Sequence, residues 1–184
     1  MPRRNRGDTA DGSRYHVTSE INRRTLELYE KEMKRLFITV IAEAKDKYAF
    51  TLWNFCIMDN HFHFLIQPAV GVSLSDIIKW IKMVYAIRWN NIHRIHGHLW
   101  GDRFWCRRIR DDADFLTVYK YIDENPLQAG LVTEAWLWEF GGLFHHQQGI
   151  TLIVADAPGW VVAELPQHGT VPILLPHADS RRTC

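Results

Sequence analysis

Three segments of the chain carry apolar residues at helical spacing. In residues 25–47 an apolar side chain recurs every three or four positions, which predicts an amphipathic helix whose charged side chains, including Lys34, face solvent. A second helix is predicted to begin at the Ser73 cap and to end near Gly97. A third is predicted from about residue 113 to 124, ended by Pro126 with Asn125 at its boundary.

Strand-like segments alternate with these helices. Residues 50–58 and 61–68 are rich in aromatic and β-branched side chains, and the Asp-Asn turn between them predicts a β-hairpin. Residues 15–18 and part of 100–109 are predicted to form further short strands. The order β-α-β-β-α-β-α predicts one α+β domain in which helices cover a mainly antiparallel sheet.

Composition divides the chain into three parts. Residues 1–13 are polar and basic and are predicted to be a flexible arm, and residues 14–140 hold the predicted domain. Residues 141–184 form a C-terminal tail to which the sequence assigns no role. Within the tail, 141–148 are expected to be loop, and 150–154 and 160–165 to be short strands interrupted by Pro and Gly.

Charge and composition narrow the classes of function. With 22 Lys and Arg against 21 Asp and Glu, the net charge is only +1, so a nucleic-acid partner requires a local concentration of positive charge. No apolar run is long enough to cross a bilayer, and the first residues lack the apolar core of a signal peptide, so no membrane association is expected. The three widely spaced cysteines form no CxxC pair, which fits a reducing cytoplasm.

The sharpest chemical feature is a pair of histidines within a predicted strand. His61 and His63 are two positions apart, so they project from the same face, with Phe62 buried on the other. Two neighbouring imidazoles can both bind one divalent cation. Taken alone the pair is weak evidence, because two histidines can simply occupy a half-exposed face of a sheet.

The predicted third helix supplies a candidate nucleophile. Tyr121 and Asn125 are four positions apart and share a helical face, and Tyr119 is a second tyrosine nearby. A phenol can attack a phosphodiester when a bound metal stabilises the developing charge, and the Asn125 amide oxygen can serve as a further metal ligand. Taken alone, the tyrosines are better explained by packing of the helix on the sheet, because tyrosine side chains usually pack.

Basic residues interleaved with aromatic ones mark candidate DNA contacts. Guanidinium groups contact phosphates, and aromatic rings stack on unpaired bases. An ordinary solvated basic patch is the alternative. The candidates for DNA binding are Arg14, Arg23, Arg24, Arg103, Arg107, Arg108 and Arg110.

Four motifs occur in a fixed order over about residues 15–140. They are YHVT (15–18), CIMDNHFHFL (56–65), GHLW with a following RF (97–104), and YIDENP with AGLV (121–132). Together they resemble the REP-associated tyrosine transposases, which are single-tyrosine transposases of the HUH class. The combination of MDNHFH with YIDENPLQAGLV is specific, and it raises the histidine pair and Tyr121 well above what each indicates alone.

The resemblance implies a fold and a mechanism. It implies a ferredoxin-like antiparallel sheet covered by helices, with His61 and His63 on a central strand holding Mg²⁺ or Mn²⁺. It implies that Tyr121 attacks single-stranded or hairpin DNA to form a 5′-phosphotyrosine link and that reversal rejoins the strand. Asn125 occupies the position at which related single-tyrosine transposases have a Gln, whose longer side chain is a metal ligand.

Several alternatives stay open from the sequence. Tyr119 competes with Tyr121 as the nucleophile. Two other functions also fit the sequence. One is a DNA-binding protein that has kept the fold but lost the catalytic activity, and the other is a metal-dependent hydrolase whose nucleophile is water in place of tyrosine. The resemblance leaves undecided whether the protein acts as a monomer or a homodimer.

Overall fold

A four-stranded antiparallel sheet forms the centre of the computed structural model, which describes residues 11–101 and 103–164. The sheet order is β2-β3-β1-β4, so β3 and β1 are the inner strands. This order and the β-α-β-β-α-β succession are those of a ferredoxin-like fold, as predicted. The strands are β1 (Tyr15–Glu20), β2 (Phe50–Ile57), β3 (His61–Pro68) and β4 (Trp105–Arg108).

Helices cover both faces of this sheet. The long helices are α1 (Lys31–Lys47), α2 (Leu74–His93) and α3 (Asp112–Gln128), and the short ones are α4 (Gly142–Gln147) and α5 (Gly159–Glu164). Alternation along β3 separates two cores, because Phe62 and Phe64 pack against Phe37 of α1 while Leu65 faces the opposite side with Phe115 of α3. None of the helices in the described part of the chain combines the length and apolarity needed to span a membrane.

Helix α1 departs from its prediction at its start and on its polar face. It begins at Lys31, not near residue 25, because residues 22–24 form a 3₁₀ turn and Leu28 is buried in non-helical conformation. The prediction that Lys34 faces solvent is wrong. Its side chain is only 2% exposed, and its Nζ donates to the Asp59 carboxylate at 2.6 Å and to the Tyr29 carbonyl at 2.9 Å. This buried ion pair fixes the turn that leads into β3.

The predictions for the ends of α2 and α3 also need correction. Helix α2 ends at His93 and not near Gly97, because Arg94 adopts a left-handed backbone with φ of 55°. Helix α3 runs through Pro126 to Gln128, so Asn125 lies within the helix and not at its boundary. Pro126 has no N–H, so one hydrogen bond of the helix is missing. The proline side chain is buried, and the helical pattern continues where the Ala129 N–H donates to the Asn125 carbonyl at 3.0 Å.

The described part of the C-terminal tail is also not as predicted. Residues 142–147 are helical and not loop, residues 150–154 form no strand, and residues 159–164 are the helix α5. Tertiary packing explains this, because Ile153 and Val161 are fully buried against the domain and the Ala155 N–H donates to the Leu52 carbonyl. Residues 1–10 of the predicted arm and 165–184 of the tail lie outside the described residues.

Gly142, the first residue of α4, is predicted to tolerate no side chain. A Cβ there would lie 2.0 Å from Oδ1 of Asn54, whose amide binds α3. We expect Gly142→Ala to lower the free energy of unfolding by about 1–3 kcal/mol through overpacking, measured by urea denaturation. Gly141→Ala is the matched control, since its Cβ would meet only ordinary contacts at 3.4 Å and beyond. Equal stability of the two variants would contradict the prediction.

Candidate active site

The two predicted histidines lie at the start of the inner strand β3 and project from the same face. Their ring centroids are 4.9 Å apart. His63 is only 5% exposed, and its Nε2 is buried without a hydrogen-bond partner among the described residues. The Nδ1 atom of His61 lies 2.7 Å from the Asn60 amide oxygen, which leaves its Nε2 for another ligand.

A third histidine, which sequence reasoning did not single out, joins this pair. His16 lies on β1, and its Nε2 is 3.1 Å from Nδ1 of His63. It is buried beneath Trp105 and Tyr121. The sequence offered one signal, since His16 stands in the YHVT motif, but the pairing of β1 with β3 is a property of the fold.

Tyr121 projects from α3 toward these histidines. Its ring lies edge-on to His63, with centroids 5.5 Å apart, and its side chain is partly open to solvent at 36% exposure. Tyr119 lies in the core, where its hydroxyl is buried without a partner among the described residues. The two tyrosines therefore differ in surroundings, and of the two it is Tyr121 whose ring contacts His63.

Asn125, the predicted third metal ligand, is engaged with the backbone of its own helix. Its Nδ2 donates to the Tyr121 carbonyl at 2.6 Å. Burial raises the pKa of Tyr121, and hydrogen bonding from the Asn125 side chain offsets part of the rise. Asn125 therefore lies beside the candidate nucleophile, and its role as a metal ligand stays a prediction.

Burial keeps the three histidines neutral. It lowers the pKa of His61, and it lowers that of His63 well below the usual range. Burial, aided by the positive charge of Arg107, lowers the pKa of His16 to about 4. Neutral imidazoles keep a lone pair for a metal or a hydrogen bond near pH 7.

Nε2 of His63 has no hydrogen-bond partner within the described ranges, and His61 meets Asn60 through Nδ1, so the two Nε2 atoms fit a cation site. In the described ranges, no group of three or more His, Cys, Asp or Glu side chains is arranged to hold a metal ion. The protein would then supply two nitrogen ligands and leave the other positions for oxygens of phosphate and water, which Mg²⁺ and Mn²⁺ prefer.

The predicted DNA-binding arginines fall into two groups. Three arginines form ion pairs with carboxylates in the first turn of α3. Arg14 pairs with Asp112, and Arg107 and Arg110 pair with Asp114. Arg108 pairs with Asp11 at 3.2 Å. The other group, Arg23, Arg24 and Arg103, lines a cleft of about 800 Å³ with Trp100 and Trp105; two further lining residues, Thr18 and Glu20, lie opposite His63 and His61 in the sheet. Arg24 pairs there with the Glu20 carboxylate at 3.5 Å.

Helix α3 is fixed at both ends of the segment that carries Tyr121. At its start, the Asp111 carboxylate caps the Asp114 N–H at 2.8 Å. Farther along, the Asn54 amide donates to the Tyr119 carbonyl and to the Asp123 carboxylate. Burial raises the pKa of Asp123 to about 7. These bonds tie the helix to β2 and set the position of Tyr121 over the sheet.

Comparison with known proteins identifies the family. The model of the family described as "Transposase IS200 like" matches residues 9–125. A REP-associated tyrosine transposase of Haemophilus influenzae is 27% identical over 150 residues, covering 76% of this chain and 84% of its own. A solved REP-associated tyrosine transposase bound to a REP hairpin is 21% identical, with a TM-score of 0.68, covering 85% of this chain and 92% of its own.

The fold and the comparisons together define the class of the protein. It is a transposase-like, DNA-binding protein with a ferredoxin-like fold. The chain belongs to the IS200-like, single-tyrosine transposase family, and the resemblance seen in its motifs to REP-associated tyrosine transposases is confirmed.

The Asp114 carboxylate is predicted to stabilise the start of α3 in a pH-dependent way. Burial alone would raise its pKa, but hydrogen bonds from Arg107 and Arg110 outweigh burial and lower the pKa to about 2. Because the folded-state pKa lies below the unfolded value, the stabilisation is complete above about pH 4 and is lost as the pH falls toward 2. We expect Asp114→Asn to lower the free energy of unfolding by about 2 kcal/mol at pH 7.

Urea denaturation between pH 7 and pH 2 measures this effect, and the difference from the wild type should shrink across the acidic part of the range. Asp112→Asn is the control, since its carboxylate is 66% exposed and its pair with Arg14 should contribute under about 1 kcal/mol. A cost of Asp114→Asn that stayed constant down to pH 2 would refute the assignment.

Proposed function

We propose that this protein is a metal-dependent enzyme that cleaves and rejoins single-stranded DNA of hairpin form through a tyrosine–DNA intermediate. The observation that carries the proposal is the approach of the Tyr121 ring to His63 on one face of the sheet. Hairpin DNA as the substrate is supported by the similar solved transposase, which is bound to a REP hairpin.

Tyr121 is the proposed nucleophile. Its phenol oxygen attacks the phosphorus, the bond from phosphorus to the 3′-oxygen breaks, and the phenol proton replaces that bond on the 3′-oxygen. A 5′-phosphotyrosine and a free 3′-hydroxyl result, and attack by another 3′-hydroxyl reverses the step. The raised pKa of Tyr121 keeps the phenol protonated until attack.

His61 and His63 are the proposed metal ligands, through their Nε2 atoms. A bound Mg²⁺ or Mn²⁺ supplies Lewis-acid polarisation of the scissile phosphate. Asn125 is the proposed further ligand through its amide oxygen, since its Nδ2 is engaged with the Tyr121 carbonyl. Because Tyr121 and both histidines come from the same chain, a monomer can form the complete site.

The cleft beside the histidines is the proposed path of the single strand. Arg23, Arg24 and Arg103 supply positive charge there, of which Arg24 is paired with the Glu20 carboxylate in the protein without DNA, and Trp105 supplies an aromatic face. Arg23 and Arg24 both have a left-handed backbone with φ of 57°, a conformation that costs energy in arginine and marks a constrained functional segment.

A covalent adduct with DNA is the expected signature of this chemistry. Labelled hairpin DNA incubated with the protein and Mg²⁺ or Mn²⁺ should yield, on a denaturing gel, an adduct that is absent in Tyr121→Phe. His61→Ala and His63→Ala should each reduce adduct formation by about 100-fold or more. Tyr119→Phe is the matched control and should retain the adduct, because its hydroxyl is buried in the core.

Each other outcome identifies a different function. A mobility shift without an adduct means a DNA-binding protein without the chemistry. Cut DNA without an adduct, unaffected by Tyr121→Phe, means hydrolysis by water. Loss of the adduct in Tyr119→Phe alone would identify Tyr119 as the nucleophile.

The salt dependence of DNA binding tests whether the single strand follows the cleft. We expect Arg23→Ala, Arg24→Ala or Arg103→Ala to weaken single-strand binding and to lower the slope of log K against log salt by about 0.7–1 each. Arg88→Ala is the control, since its guanidinium is paired with both Glu43 oxygens on the helix side opposite the histidines. Unchanged slopes in all three cleft variants, by fluorescence anisotropy, would exclude this path.

A further inference from the structure

We propose that His16 is a positioning residue that holds the His63 ring in the tautomer whose lone pair is on Nε2. No part of the proposed mechanism uses His16, although it is buried in the middle of the site. The inference rests on the proposed metal-binding role of His63.

The register of the sheet brings the two rings together. His16 lies opposite Leu65, and Thr18 lies opposite His63, so His16 reaches His63 along the diagonal between neighbouring strands. The rings are nearly parallel, at 21°, with centroids 5.3 Å apart, and Nε2 of His16 is 3.1 Å from Nδ1 of His63. This is a hydrogen-bond distance between two ring nitrogens.

A hydrogen bond between the two ring nitrogens holds one proton, so only one of them can carry it. If His63 donates its Nδ1–H, its Nε2 carries a lone pair. If His16 donates, the His63 proton moves to Nε2, which is buried without a partner among the described residues. Nε2 lacks a partner in either arrangement, but a lone pair there can bind a cation whereas an N–H cannot, so the proposed metal site requires the first arrangement.

His61 provides a parallel in the same site. Its Nδ1 lies 2.7 Å from the Asn60 amide oxygen, which accepts a proton and does not donate one. Both histidines then present Nε2 lone pairs, each fixed by a hydrogen bond at Nδ1. Hydrogen bonds of this kind orient metal-binding histidines and set their tautomer.

The tautomer can be measured directly in the metal-free protein. Long-range ¹H–¹⁵N spectra of the imidazole rings, assigned with His63→Gln and His16→Gln variants, should show His63 protonated on Nδ1. Protonation on Nε2 would overturn the proposal, because Nε2 would then carry no lone pair for a cation.

Metal affinity gives the second test, with Mn²⁺ as the probe and its free electron paramagnetic resonance signal as the readout. We expect His16→Leu, which keeps bulk but accepts no hydrogen bond, to weaken Mn²⁺ binding by about 10- to 100-fold. His16→Gln, whose amide oxygen can replace Nε2 as the acceptor, should stay within about threefold of the wild type. His93→Leu, at the end of α2, is the control for loss of a histidine elsewhere.

The outcomes separate this proposal from the function itself. If the wild type binds Mn²⁺ and His63→Ala does not, but His16→Leu binds like the wild type, the role of His16 is overturned and the metal site stands. Equal weakening in His16→Leu and His16→Gln means that His16 acts through packing, which also overturns it. A wild type that binds no Mn²⁺ overturns the metal site and the role of His16 together.

Discussion

The two faces of strand β3 are the constraint on which the rest of the structure depends. Helices cover both faces of the sheet in which β3 is an inner strand, and alternation sends Phe62 to one core and His61 and His63 to the other side. The aromatic core beneath α1 and α2 holds the strand rigidly. The imidazoles are thereby fixed by packing that they do not themselves supply.

Helix α3, which carries Tyr121, must in turn lie at a fixed distance from this face of the sheet. Nη1 of Arg107 donates to both carboxylate oxygens of Asp114 and secures the start of the helix. The amide of Asn54 on β2 donates to the Tyr119 carbonyl and to the Asp123 carboxylate and secures its middle. These contacts lie on either side of Tyr121 in sequence, so the tyrosine is supported before and after its own position. The partial exposure of its ring leaves a face that DNA can approach.

Burial governs the electrostatics of the site as well. Desolvation disfavours a charged imidazole, so the three histidines are kept neutral and ready to act as ligands or hydrogen-bond partners. Arginines at the edges supply the positive charge: some are paired with carboxylates near α3, and others line the cleft, where Arg24 pairs with Glu20. A near-neutral protein can thus present a local basic surface to DNA.

The sequence predicted the positions of residues correctly where the signal is local. Strand alternation placed His61 and His63 on one face, the Asp-Asn turn gave the hairpin, and helical spacing placed Tyr121 and Asn125 together. The motifs gave the family. Predictions failed where long-range packing overrode local preference, as at Pro126, which is buried inside a helix, and in residues 142–164, whose short helices exist through contacts with the sheet.

By itself the sequence determined the succession of strands and helices along the chain and the residue types of the site, because periodicity and turn chemistry act over a few residues. Only the tertiary structure decided that His16 meets His63, that Lys34 is buried on Asp59, and that Tyr119 is enclosed. Each of these depends on which strands pair and which helix face turns inward. Such facts join residues far apart in the chain, and no local pattern records them.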